Sequence, residues 1–488
     1  MAAIITEKFR VHNARQFKED FGEAASSTYV FIGRSNPWPV DTSPPTPVNG
    51  TSEEVDAWSD MTALKKVGSA DVSHGLTRYD WTSGVKYDEY AHDISATNTS
   101  SATSATSLYA SRFYVMTDEY HVYKCLRTGR DASGATVNST VKPTGTSATA
   151  LVETSDTGAA SGRGYLWKYM YTVTASDTIK FVTNDFIPVK TIGAQTEIFP
   201  FGGSSPSDDG SSQWDVENSA VSGGVHHAVV TAGGSGYTNG TYNEVPVVGN
   251  GTGGKATVVI SGGAVTHVTF TGTGAAFGSG YTQAEIRIAT TTTNLNGIGS
   301  GSGATVKVIL SPQVGHGADP VSELGGNHVI VNSRLEFGEG SGDFPTDNDF
   351  RRIGLIQDPF STGTTVATAS SLAAYSKMTV SDASNLKVDD IIRSAGTDAA
   401  GVANSRIVSI TGNVVSHLPI ADVAGGFTNF AAGNDVYLGS SDEGSVSSVN
   451  AGFPEVVKHS GEIMYIENRG AVTRAADQIE DIKLIIEM

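Results

Sequence analysis

The sequence predicts a mainly β protein, with a few helices in long loops and small β modules inserted into a larger framework. Three observations carry that expectation. Glycine reaches 56 of the 488 residues and Ser/Thr tracts recur, a mix that supplies turns and is poor in helix formers. Short runs rich in aromatic and β-branched residues, such as TYVFIG, RFYVMTDEYHVYKCLR and YLWKYMYTV, read as strands. Helical periodicity surfaces clearly in two places.

The first helix candidate is NARQFKEDFGEA, near residues 12–24, with Ala14, Phe17 and Phe21 on one side. The second, near residues 52–67, is TSEEVDAWSDMTALKKVG. There Thr51 is placed to cap, and Glu54 to complete a capping box. Val55, Trp58, Met61 and Leu64 line one face, Lys65 and Lys66 suit the negative helix end, and Gly68 stops it. The tract at 95–108 and the stretch at 131–163 read as long exposed loops.

Around residue 220 charges thin out and glycines multiply. GSGYT stands at 234–238 and again at 278–282, and GGKATVVI at 253–260 is answered by SGATVKVI at 302–309. Repetition at that spacing predicts two copies of one small β unit stacked together. A second island, 361–450, again holds short strands (KMTVSD, RIVSI, DVYLGS) between Gly/Ser/Asp turns. The expected organisation is framework at 1–200, 326–360 and 451–488, interrupted by modules at 201–325 and 361–450.

Composition narrows the function. A chain this long predicts about three domains. A net charge of −19 and a pI near 4.9 repel phosphate backbones and anionic lipid, which disfavours nucleic-acid and membrane-surface binding as main roles; membrane insertion is not expected either, for want of a long apolar run. Cys125 is the single cysteine, so an intrachain disulfide and a cysteine-built zinc site are both excluded, and its strand-like surroundings suggest a buried thiol. The start, MAAIITEKFR, is too short in apolar residues for a signal peptide, and no run of roughly 18 apolar residues occurs. Synthesis in a host cytoplasm is the expectation.

Several motifs mimic active sites. GNGTGGKA (249–256) fits both a phosphate-binding loop and a dinucleotide fingerprint, but Ala256 stands where a magnesium-binding hydroxyl belongs, and a β-like run follows instead of a helix. His226 and His227, adjacent in an alternating strand, point to opposite faces, so they and His316 and His328 make a poor metal cage. Asp343, Asp347, Asn348 and Asp349 form an oxygen-rich loop without the spacing of a calcium-binding hand. KHSGEIMYIENR (458–469) places His459, Ser460 and Glu462 together. Neighbours in sequence do not make a triad, so a turn at His459–Gly461 entering a buried strand, with a polar exit at Glu467–Arg469, is expected. No catalytic, cofactor-binding or metal site is expected, and no cofactor.

That same segment, with AADQIEDIKLII after it, resembles the end of a baseplate wedge subunit family of T-even-type contractile-tailed bacteriophages. AIITEKFR, FIGRSNPWP, RYDW, YKCL, GYLWKYMYTV, VTNDFIPV and DFRRIGLIQDP resemble further family segments, in the same order. The resemblance implies a β-sandwich framework, no enzymatic activity, a homodimer, other wedge proteins of a sixfold baseplate as partners, and a place in the virion tail. The two modules fall outside it. Arg34, Trp38, Trp81, Arg351, Arg352, His459, Glu462 and Arg469 are the candidate interface residues. Trp38 is either an exposed anchor or a core closure with Arg34 beside it. Of the adjacent Arg351 and Arg352, one is expected to pair internally and the other to meet a partner. Trp38→Ala and Arg352→Glu are accordingly expected to spare the fold and weaken assembly. The alternative function is host-surface or glycan binding, with Tyr237 and Tyr281 of the repeat stacking on sugar rings.

Overall fold

The computed structural model describes residues 4–194, 207–270, 277–336, 343–475 and 478–488, and it is mainly β. The chain divides into two compact units: Met1–Ala14, Ser73–Val329 and Ile486–Met488 form one, Arg15–Val72 and Ile330–Ile485 the other.

The first unit is built on an antiparallel sheet ordered Tyr114–Met116, His121–Arg127, Leu166–Thr172, Val152–Glu153. Residues two apart on a strand share a face. Tyr165, Trp167 and Tyr169 therefore gather with Tyr87, Tyr123 and Cys125 on one side, Tyr165 stacking on Trp167 at 5.6 Å. Val122 and Met170 join Leu76, Phe113 and Ile187 on the other. A sheet covered on both faces explains why these strands read as nearly unbroken apolar runs. Cys125 is fully buried, and burial pushes its thiol well above the usual range.

Polar side chains are buried here too. Lys124 Nζ donates to Glu323 Oε2 at 2.9 Å with both groups out of solvent, and its ammonium lies 3.9 Å from the Tyr90 ring centre. Glu323 Oε1 accepts the Gly317 and Asp319 amides, tying down the turn ahead of the short helix Pro320–Leu324. His226 and His227 do point to opposite sides. His226 faces His316 at 5.1 Å, and His227 Nε2 lies 3.3 Å from Glu89. Burial, reinforced by Lys168 and Lys124, lowers His226 to about 3.

The glycine-rich repeat folds differently from the expected stack. Each copy contributes a strand leading to GSGYT, a second strand, and the ATV-containing third strand. One sheet is ordered Gly240–Pro246, Lys255–Ser261, Ala264–Thr269; the other is Val248–Gly249, Ala284–Glu285, Ser302–Leu310, Val225–Ser235. The third strand of each copy thus pairs with the first strand of the other, so the copies exchange strands and share one core. The GSG glycines make the crossing possible. Gly234, Gly236, Gly278 and Gly280 all have φ between 62° and 77°, and a Cβ on Gly234 or Gly278 would lie 2.5 Å from backbone of the other copy. Tyr237 and Tyr281 are buried: the Tyr237 hydroxyl accepts the Ala304 amide, and that of Tyr281 the Gly254 amide. Each tyrosine closes the opposite copy, and neither presents a ring face to a sugar.

In the second unit a five-stranded sheet is ordered Ser371–Ala373, Met61–Val67, Thr28–Gly33, Asn348–Gln357, Glu462–Arg474. Thr28–Gly33 is central and buried along its whole length. The two expected helices are corrected here. The first spans Glu7–Asp20. The second stops at Asp60, its N-cap is Gly50 without a side-chain cap, and Met61–Val67 is a strand. Leu64, Lys65 and Lys66 are good helix formers, but ladders to Thr28–Gly33 and to Ser371–Ala373 outweigh that preference. Residues 376–449 form a closed six-stranded barrel filled by Met378, Val380, Ile392, Ile407, Val415, Val436 and Val446. Closure leaves it no free edge.

Candidate assembly interface

FIGRSNPWP builds the site. The central strand ends at Gly33, where a β-bulge and a positive φ at Arg34 turn the chain out of the sheet, with the Arg34 amide donating to the Asp60 carbonyl. The loop then folds back. The Trp38 amide donates to Asp41 Oδ1 at 2.7 Å and its indole Nε1 to the Arg469 carbonyl at 2.8 Å. The Arg34 guanidinium lies 3.7 Å above the indole and pairs with Asp60 at 2.9 Å. Trp38 is buried, so of its two readings the structure supports core closure with Arg34 beside it.

Arg351 and Arg352 face opposite sides of their strand, as adjacent strand residues must. Both nonetheless pair internally. Arg351 holds Asp41 through Nε and Nη2, and donates from Nη1 to the Ser35 carbonyl and from Nη2 to Asp349. Those hydrogen bonds keep the Asp41 carboxyl below the usual carboxylate range. Arg352 donates to Asn468 Oδ1 at 2.9 Å and to Glu53 Oε1 at 2.7 Å. At 4% and 2% exposure both are enclosed by their own chain, where one of the two was expected to face outward. The reason is the loop and the helix Thr51–Asp60, which bring three carboxylates to two adjacent guanidiniums.

Five of the eight candidates, Arg34, Trp38, Arg351, Arg352 and the Arg469 backbone, therefore converge on one interlocked cluster. The Arg469 side chain is exposed, as are His459 and Glu462. Trp81 lies in the other unit, half-buried against the aromatic core with its Nε1 donating to Ser139 Oγ. Trp38→Ala removes a buried indole, its hydrogen bond and the Arg34 contact. A loss of about 3 kcal/mol from the second unit is expected in a denaturant melt.

KHSGEIMYIENR is structural. His459 and Gly461 both have positive φ and make the expected turn. The Ser460 hydroxyl donates to the Val457 carbonyl and accepts the Phe360 amide, so it has no free role as a nucleophile. The strand that follows does not stop at Glu467–Arg469; it runs from Glu462 to Arg474 at the sheet edge, half-exposed instead of buried on both faces. Asp343 accepts from Ser371, Asn348 donates to the Val408 carbonyl, and Asp349 pairs with Arg351, so the oxygen-rich loop disperses its ligands. Among the described residues no group of three His, Cys, Asp or Glu is placed to hold a metal ion.

Sequence reasoning missed one surface. Beside Asn36 and Asp60 a cleft of about 350 Å³ is walled by barrel residues Leu418, Pro419 and Phe427. Phe427 is 63% and Val423 71% exposed. Both sit in an Ala/Gly-rich barrel loop with no strand pattern, and only folding brings Phe427 to the cleft beside Asn36.

Residues 3–193 match the family model described as Bacteriophage T4, Gp8. The baseplate wedge protein gp8 of Enterobacteria phage T4 is 29% identical over 210 residues, covering 38% of this chain. The chain spans 60% of that relative's length. The resemblance seen in the sequence is thus shown from AIITEKFR to VTNDFIPV, while DFRRIGLIQDP and HSGEIMYIENR lie outside the residues that the family model matches.

Proposed function

We propose that this chain is a structural wedge subunit of a contractile phage tail baseplate, working as a homodimer that joins other wedge proteins and carrying no catalytic activity. The match of residues 3–193 to the family of a baseplate wedge protein carries the proposal. The buried arginine clusters support it. Trp38, Arg351, Arg352 and Ser460 are engaged in holding loops to sheets, as suits a part that transmits load. The glycan alternative has lost its two tyrosines to the core of the repeat.

The first test is quantitative mass spectrometry of purified virions of a phage encoding this chain. Peptides confined to the baseplate fraction at about twelve copies per particle, two for each wedge of a sixfold ring, are expected. Absence from the particle overturns the reading. Within the second unit, the barrel loop with Phe427 63% and Val423 71% exposed offers an apolar surface to a partner. Phe427→Ser is expected to leave the melting curve within about 0.5 kcal/mol and to weaken co-purification with neighbouring wedge proteins. Unchanged co-purification would remove that loop from the interface.

A further inference from the structure

We infer that the first unit contains a phosphate-binding pocket where the framework meets the glycine-rich repeat, with Arg163 as its principal anion-holding residue. The pocket has a volume of about 110 Å³. Its framework wall carries Arg127, Arg130 and Arg163, and its module wall carries His227 and His267. In a chain of net charge −19, three guanidiniums around one small cavity are a local reversal of sign.

Two of the three are neutralised. Arg127 donates to Glu153 at 2.7 Å and to the Gly164 carbonyl; Arg130 donates to Glu89 at 3.0 Å and to the Gly134 carbonyl. Glu89 is fully engaged: burial alone would raise its carboxyl, but His227, Arg130 and the Thr128 amide bring it down to about 2. Arg163 differs. It is 8% exposed, its Nη1 donates to the Asp131 carbonyl oxygen, and its Nη2 meets His267 Nδ1. Asp131 has turned its carboxylate to Ser133 and Ala135 of its own turn. No ion pair joins Arg163 to a carboxylate among the described residues.

Two close ion pairs, to Glu89 and Glu153, serve three guanidiniums, and Asp131 acts on Arg163 only from beyond ion-pair distance, so the nearly buried site favours an entering anion. A neutral His267 lends Arg163 an acceptor but no charge; burial, with Arg163 and Arg127 adding to it, lowers this imidazole to about 4. The cavity suits a small tetrahedral oxyanion, because its arginines approach from the strand end at Arg127 and from the segments around Arg130 and Arg163, and guanidinium N–H groups bond strongly to charged oxygens.

The test is isothermal titration of the full chain with inorganic phosphate at constant ionic strength, with chloride as the reference. One saturable site is expected in the wild type, and Arg163→Gln is expected to weaken it at least about tenfold, the value of one lost charge-assisted pair. If Arg163→Gln does not fold, Arg163→Lys takes its place. It keeps the charge, loses the fork, and is expected to weaken binding several-fold. Broadening of the phosphorus resonance of inorganic phosphate by the wild-type chain gives a second readout that needs no variant. No saturable binding by the wild type, or equal affinity in wild type and variant, overturns the proposal.

Discussion

Lys124→Met is expected to destabilise the first unit by about 3–5 kcal/mol, because it leaves Glu323 buried with its cationic partner gone. The pair is completely enclosed, with side-chain exposures of 0% and 2%. Burial lowers the Lys124 ammonium from its ordinary range, and Glu323 works against that shift. The desolvation cost of both charges is therefore already present in the native state. Removing one partner keeps the cost of the other and loses the attraction. Glu323 also anchors Gly317 and Asp319, so the damage is expected to spread into the turn before Pro320–Leu324. Hydrogen exchange is the suitable measurement, since a chain of two units need not unfold in one step. Faster exchange is expected at residues 121–127 and 315–324. The double variant Lys124→Met/Glu323→Gln should recover part of the loss, because no buried carboxylate is left without its ammonium, although Lys168 loses the attraction of Glu323. If the single and double variants exchange alike, the pair is not what stabilises this region.

The mainly β fold was legible in the sequence because it rests on local signals: alternating aromatics in YLWKYMYTV, turn glycines, and few helical stretches. What escaped was decided by distant partners. TALKKV carries helical residues, and only its pairing with Thr28–Gly33 and Ser371–Ala373 makes it a strand. The GSGYT repeat announced a duplication, but strand exchange between copies leaves no mark on a periodic pattern. For the site, only part of the arrangement was legible. Arg34, Trp38, Arg351 and Arg352 do assemble, yet whether an arginine is free depends on carboxylates such as Asp41 and Glu53. Those stand about 300 positions away and reach the strand only through a folded loop and helix. Burial of a charge is a property of its partners, and partners across such separations are invisible to spacing.

Arg352→Glu carries that point to an experiment. Read from the sequence, the substitution spares the fold and weakens assembly. With the geometry in hand, it is expected to destabilise the second unit by about 5 kcal/mol, because it places a carboxylate where Glu53 Oε1 lies 2.7 Å and Asp60 Oδ2 3.8 Å from the native guanidinium. At a position 2% exposed, water screens the repulsion only weakly. Asn468, which accepts from Arg352 Nε, loses its donor at the same time, loosening the edge strand Glu462–Arg474. Arg469→Glu is the matched control. That side chain is exposed and only 3.6 Å from Glu467, so its effect on folding should stay near 0.5 kcal/mol. Chemical denaturation of both variants decides between the two accounts. Marked loss of stability with Arg352→Glu alone places Arg352 inside the fold, and any assembly defect it shows then reflects unfolding. Equal stability in the two variants would return Arg352 to the surface that wedge partners touch.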